Sequence, residues 1–137
     1  MTTRLTVAAT ALGLVLLHAA ATNAAILTVG NCAGASYQTI RAALTAAGTG
    51  DEIDLCAGTY NEQVVITKKL RLVGRAGVLI RPTTLPEARA SVVGGRPVTG
   101  GIIVDVPSVF ISDIQLDMSA SGITNCRRLY FNSAKMA

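Results

Sequence analysis

Residues 50–66 run GDEIDLCAGTYNEQVVI. Ile53 and Leu55 alternate with Glu52 and Asp54, Ala57-Gly58-Thr59 makes a turn, and Val64 and Ile66 form the next apolar pair. A period of two places one side chain of each pair on the same face of a short strand. Downstream the pattern continues with Leu70 and Leu72, Val78 and Ile80, Ile102 and Val104, Val109 and Ile111, and Ile114 and Leu116. Polar or glycine corners separate the pairs. Counted from Ile53, the pairs return at Val78, and a second circuit ends at Ile114 once an insertion at 81–101 is set aside. That insertion holds Pro82, Pro86 and Pro97 and several glycines, the composition of a surface loop. Short strands recurring every 20–25 residues or so are the mark of a solenoid whose rungs share one core.

Upstream, Ile26-Leu27-Thr28-Val29 is β-prone and closes at Gly30. Tyr37, Ile40, Ala43, Leu44 and Ala47 then fall at helical spacing, with Ser36 as the expected cap and Gly48 as the stop. The expectation is an amphipathic helix of about three turns that covers the first rung. Beyond Ile114 the alternation fades, and residues 126–137 (CRRLYFNSAKMA) read as an irregular tail.

At the start of the chain, Arg4 precedes an uncharged run, LTVAATALGLVLL at 5–17, and small residues follow through Ala25. This is the build of a secretory signal peptide, with cleavage expected after Ala21, Ala24 or Ala25. The apolar run is too short for stable membrane insertion, which takes roughly 20 residues. The organisation is therefore a signal at 1–25, a β domain at 26–125 and the tail, secreted into an extracellular or periplasmic space. Removing the signal removes His18, the only histidine, and lowers the formal charge from +4 to +3. Without histidine, Ser-His-Asp and Cys-His nucleophile systems are excluded, as are zinc sites that use imidazole. Tryptophan is absent and only three Tyr and two Phe occur, so stacking platforms for single-stranded nucleic acid are scarce. Nucleic acid is not an expected partner.

The segments Tyr37-Gln38-Thr39-Ile40-Arg41-Ala42-Ala43, Gly50-Asp51-Glu52-Ile53 and Ala57-Gly58-Thr59-Tyr60-Asn61-Glu62 resemble the opening of pectin-lyase-like right-handed parallel β-helix proteins. The resemblance implies an all-β coil of about two rungs with an N-terminal capping helix. It spans roughly 26–124 and implies fold more than function, because lyases, esterases, hydrolases, adhesins and binding proteins share this opening. The paired aspartates of the methylesterases are absent, and Arg81, Arg96 and Arg127 do not align with the lyases' catalytic arginine. No catalytic residue is carried over. A coil of about two circuits is also short of the three repeats a stable solenoid needs. The chain accordingly reads as a truncated member, expected to self-associate through its C-terminal end.

Four groups of residues carry the candidate chemistry. Asp113 and Asp117 flank an inward Ile114 and Leu116, so both are expected to face outward, where paired carboxylates bind calcium or act as acid and base. Outward positions must also be polar simply for solubility. Asp51, Glu52 and Asp54 likewise read as solvation and turn capping ahead of a cation site. Lys68, Lys69, Arg71 and Arg75 form a basic patch suited to an acidic polysaccharide. A Cys32–Cys56 bond would staple helix to coil and leave Cys126 alone, the alternative being two buried thiols. The leading expectation is a secreted, polysaccharide-associated binding or structural protein without a resident cofactor. The rivals are the N-terminal part of a pectin-acting lyase or esterase, and an adhesin-like surface scaffold.

Overall fold

A computed structural model describes residues 23–90, 97–122, 129–131 and 134–136. The expected signal at 1–25, apart from 23–25, lies outside the described residues, as do Arg96, Cys126 and Arg127. The chain forms β1 (Ile26–Val29), α1 (Ile40–Ala46), β2 (Glu52–Leu55), β3 (Gly58–Tyr60) and β4 (Val64–Ile66). It continues through β5 (Arg71–Gly74), β6 (Val78–Ile80), a small β7 (Arg89–Ala90) and β8 (Pro97–Val98) ribbon, and β9 (Ile102–Val104). β10 (Val109–Ser112), β11 (Ile114–Leu116), β12 (Leu129–Phe131) and β13 (Ala134–Met136) complete the order.

Three parallel sheets result. β1, β2, β5 and β10 stack in the first, β3, β6 and β11 in the second, and β4 and β9 in the third. Consecutive strands thus visit the three sheets in turn and return one strand further along. The architecture is all-β with parallel sheets, and α1 is the one α-helix among the described residues. Leu27, Ile53, Leu72 and Ile111 are register partners across the first sheet, and the last three are fully buried. Tyr60, Ile80 and Leu116 make the matching buried row in the second sheet, and Val64 and Ile66 face inward from the third. Parallel stacking of like residues therefore turns a period of two in the sequence into continuous apolar columns.

The circuit length departs from the expected one. Ile53 pairs with Leu72, a step of 19 residues, and Val78 begins a strand of the second sheet instead of returning to the first. Gly58 and Thr59, read with Ala57 as a turn, belong instead to strand β3. Only Tyr60 of those three points inward, so β3 shows no apolar pair in the sequence, and the count skipped a strand. Residues 81–101 lie between β6 and β9, the next strand of the third sheet. Within the tail, Leu129–Phe131 pairs antiparallel with β11, and Ala134–Met136 pairs antiparallel with β10. Leu129-Tyr130-Phe131 has no polar residue to alternate with its apolar ones, and Ala134-Lys135-Met136 offers only a small alanine opposite its methionine, so neither shows the paired pattern of the earlier strands.

The helix is also shorter than expected. Thr39, not Ser36, caps it through its hydroxyl to the Ala42 N–H at 3.2 Å, and the helix ends at Ala46. The Ser36 and Tyr37 amides instead donate to the Thr28 carbonyl, at 3.0 and 3.2 Å, keeping that segment extended against the edge of β1. Ile40, Ala43 and Ala47 bury the apolar stripe. The helix is fastened at both ends by side chains from the segments flanking β4. Glu62 accepts the Ile40 and Arg41 N–H groups at 2.8 and 3.0 Å, and Lys68 donates to the carbonyls of Leu44, Thr45 and Ala47 at 3.2, 3.1 and 2.6 Å. An acid at the N-terminus and a base at the C-terminus match the sign of the helix dipole.

Tyr60 locks the first circuit to the loop after β1. Its buried hydroxyl sits 3.0 Å from the Val29 carbonyl and 2.8 Å from the Cys56 carbonyl, and it donates its one hydrogen between them. Gly30, at φ +114°, admits that hydroxyl, because a Cβ there would come within 2.5 Å of it. Burial raises the Tyr60 pKa above its ordinary value, with Asp54 and Glu62 adding to the effect. Its contribution to stability is therefore fully present below about pH 10 and fades as pH rises through the folded-state value. Tyr60→Phe is expected to cost about 1–3 kcal/mol near pH 8, because the Cys56 carbonyl loses its donor. The variant should lack this tyrosine's part of the alkaline loss, as read by urea unfolding between pH 8 and 11. An unchanged midpoint at pH 8 would remove Tyr60 from the account.

Candidate functional site

The outward face of the first sheet is a ladder of charge. Glu52, Arg71 and Phe110 are register partners on successive strands. Arg71 Nε lies 3.0 Å from Glu52, and its guanidinium carbon sits 4.8 Å from the Phe110 ring centroid. Period-two alternation puts Asp54 on the same face, where Arg75 meets it in a forked pair with a shortest distance of 2.6 Å. These hydrogen bonds hold the Arg75 guanidinium still more firmly protonated. Arg75 also donates to Cys32 Sγ at 3.5 Å, beside the Cys32–Cys56 pair, whose Cα atoms are 6.0 Å apart. The expected staple is in place. It ties the loop between β1 and α1 to the end of β2.

The basic patch is thereby divided. Lys68 faces the helix C-terminus, Arg71 and Arg75 pair with Glu52 and Asp54, and Lys69 stays exposed with no partner among the described residues. Arg71 remains 56% exposed and meets Glu52 through Nε, which leaves the outer guanidinium N–H groups available to a ligand.

The carboxylates are mostly engaged. Asp117 accepts the Ser119 N–H at 3.0 Å and stands 3.9 Å from Arg81, at the far end of β11 from Asp113. Asp113 has φ 56° and turns the corner between β10 and β11. Its carbonyl passes over Gly74, so close that any Cβ at position 74 would collide with it. With β11 between them, the two carboxylates are separated by about 13 Å of extended chain, so the structure does not bring them together on one reacting atom. Among the described residues no group of three or more His, Cys, Asp or Glu gathers around a point where a metal ion could sit.

Asp51 ties the residue before β1 to the turn after α1. It accepts the Ala25 N–H at 2.8 Å and the Gly48 N–H at 2.6 Å. Those two backbone bonds, helped by the charge of Lys68, lower its pKa below the ordinary aspartate value. The stability it contributes is thus present above about pH 3.9 and is lost as pH falls through its folded-state value. Asp51→Asn should flatten the acid limb of a plot of Tm against pH between 5 and 2. An unaltered acid limb would show that other carboxylates govern it.

Between α1 and β4 lies a groove of about 390 Å³, walled by Arg41, Leu44 and Thr45 on the helix, Val65 on the strand with Thr67 just beyond it, and Glu87 from the insertion. Gln63 fixes the insertion beside it. Its buried amide donates to the carbonyls of Glu87 and Gly100 at 3.0 and 2.7 Å and accepts the Glu87 N–H at 2.9 Å. Sequence reading gave no role to Gln63, and Glu62 entered only through the family resemblance, because an isolated polar residue between strands carries no periodic signal. Among the described residues no helix is long and apolar enough to cross a membrane. Comparison with protein-family models, with curated proteins and with solved structures finds no match to this chain.

Proposed function

We propose that this chain is the helix-capped part of a right-handed parallel β-helix that is exported and binds acidic polysaccharide through the outward face of its first sheet. The observation that carries the reading is the recurrence of strands in one order through three parallel sheets, which aligns Glu52, Arg71 and Phe110 in an outward row. Right-handedness follows the rule for parallel crossovers. Such a row runs along the stack at about 4.8 Å per strand, a direction in which an extended polymer can meet several rungs at once. The exposed ammonium of Lys69 and the outer N–H groups of Arg71 supply donors for carboxylates and hydroxyls. Export is supported by the Cys32–Cys56 pair, which suits an oxidising compartment. Binding is favoured over catalysis because Asp51, Asp54, Glu52, Glu62 and Asp117 all serve structural partners.

The test is retention on immobilised polygalacturonate and on neutral dextran across a salt gradient. Retention on the acidic polymer alone, eluting early with salt and weakened in a Lys69→Ala, Arg71→Ala double variant, is the expected result. Equal retention on both supports, or none on either, would overturn the proposal. Release of methanol or unsaturated sugars from pectin would move the protein into the enzyme class.

A further inference from the structure

The first sheet begins one strand earlier than the other two. β1 precedes β2 there, whereas β3 and β4 are the first strands of their sheets. Beside β4, the place of a preceding strand is taken up by the groove and the flank of α1. The backbone of β4 is half used. The Val64 N–H donates to the Gly101 carbonyl at 2.8 Å, and the Ile66 carbonyl accepts the Asp105 N–H at 2.9 Å, so these two residues face β9. In a parallel ladder alternate residues face opposite sides. The Val65 N–H and C=O therefore point away from β9, towards the groove that Val65 helps to line.

We propose that this groove receives an extended acidic peptide, which adds to β4 as a further strand. An open strand edge supplies main-chain hydrogen bonds to such a guest, and neighbouring pockets supply selectivity. Leu44 and Val65 give an aliphatic floor for one face of the added strand. Two cations, Arg41 and Lys68, and one acid, Glu87, line the groove, so its net charge favours an acidic guest. The exposed Arg41 guanidinium, on the helix wall, has no partner among the described residues, whereas the Lys68 ammonium is turned into the helix carbonyls. Arg41 is therefore the cation that meets a ligand, and its planar fork suits a carboxylate. The surface is separate from the Arg71 ladder, so the peptide and the polysaccharide do not share residues.

The probe is acetyl-Val-Glu-Val-Glu-Val-amide, titrated into the full chain with Cys32 and Cys56 bonded and followed by amide NMR and hydrogen exchange. The expected result is saturable binding that protects the Val65 amide, with at least tenfold weaker binding of the lysine counterpart. Arg41→Ala should weaken the glutamate peptide at least tenfold, since that side chain is exposed and holds nothing in the fold. Lys69→Ala should leave the affinity unchanged. Val65→Pro removes the outward N–H while sparing the ladder to β9, as edge strands allow, and should abolish binding at an unchanged unfolding midpoint. Several results would overturn the proposal: no binding at millimolar peptide, equal affinity for both peptides, affinity indifferent to Arg41, or saturation without protection of Val65. Protection of the same amide by oligogalacturonate in place of the peptide would make the groove a sugar subsite and would overturn it as well.

Discussion

Leu72→Ala should lower the unfolding free energy by about 2–5 kcal/mol, whereas Val73→Ala on the same strand should cost under about 1 kcal/mol. Leu72 is fully buried between its register partners Ile53 and Ile111, so removing its branched end opens a hole with apolar atoms above and below. Parallel stacking holds the backbone of all three strands at a fixed spacing, which limits how far the hole can collapse. Val73 faces the other way and is half-buried. A domain of this size has roughly 5–15 kcal/mol of stability in all, so the Leu72 variant should unfold at visibly lower urea with the same slope. Equal effects at positions 72 and 73 would contradict the inward and outward assignment of β5.

The contrast between those neighbours also marks what the sequence could disclose. Alternation at Ile53 and Leu55, Val64 and Ile66, Val78 and Ile80, and Ile114 and Leu116 identified side chains that are buried in the structure. Alternation says which side a residue faces, but not which sheet it belongs to. The return of the chain at Leu72 instead of Val78 depends on β3, a strand with a single inward residue, and no local pattern reveals it. The fastening residues were hidden for a related reason. Glu62 and Lys68 reach α1 across more than twenty positions of sequence, and their partners are backbone groups without a residue identity to recognise. The ladder cations were legible as charge. Their pairing with Glu52 and Asp54 depends on strand register, which only the fold specifies.

These long-range polar contacts explain how a short helix keeps its place. Of the three residues it buries with its following turn, Ile40 alone is large, so the apolar contribution of α1 is small. Glu62, Lys68 and Asp51 add directional bonds from the coil to the helix or to the turn that follows it. The helix is thus fastened largely by groups whose strength depends on charge, while the strands beneath it, those of the first circuit included, are held by apolar burial. The same division places the peptide groove next to the helix, where backbone edges and charged side chains meet, and leaves the column of Ile53, Leu72 and Ile111 as a rigid support.

Reduction of the Cys32–Cys56 bond should have the second large effect, a loss of roughly 3 kcal/mol in the chain-entropy description of a cross-link closing a loop of this length. The two residues are 24 positions apart, and the loop they close contains the whole of α1. Opening the bond releases the segment between β1 and α1, which carries the Ser36 and Tyr37 bonds to the Thr28 carbonyl. The double variant Cys32→Ser, Cys56→Ser should therefore fall close to, and just below, the reduced wild type in urea midpoint. Cys56 is buried and its neighbouring carbonyl already accepts the Tyr60 hydroxyl, so the serine hydroxyl there must find its own partner, making the variant slightly the weaker of the two. The expected damage is local first. Amides of residues 36–47 should lose exchange protection before those of β5 and β10, because the apolar columns do not pass through the bond. Uniform loss of protection along the chain would mean that cap and columns unfold as one unit, and an unchanged midpoint on reduction would deny the staple any role in stability.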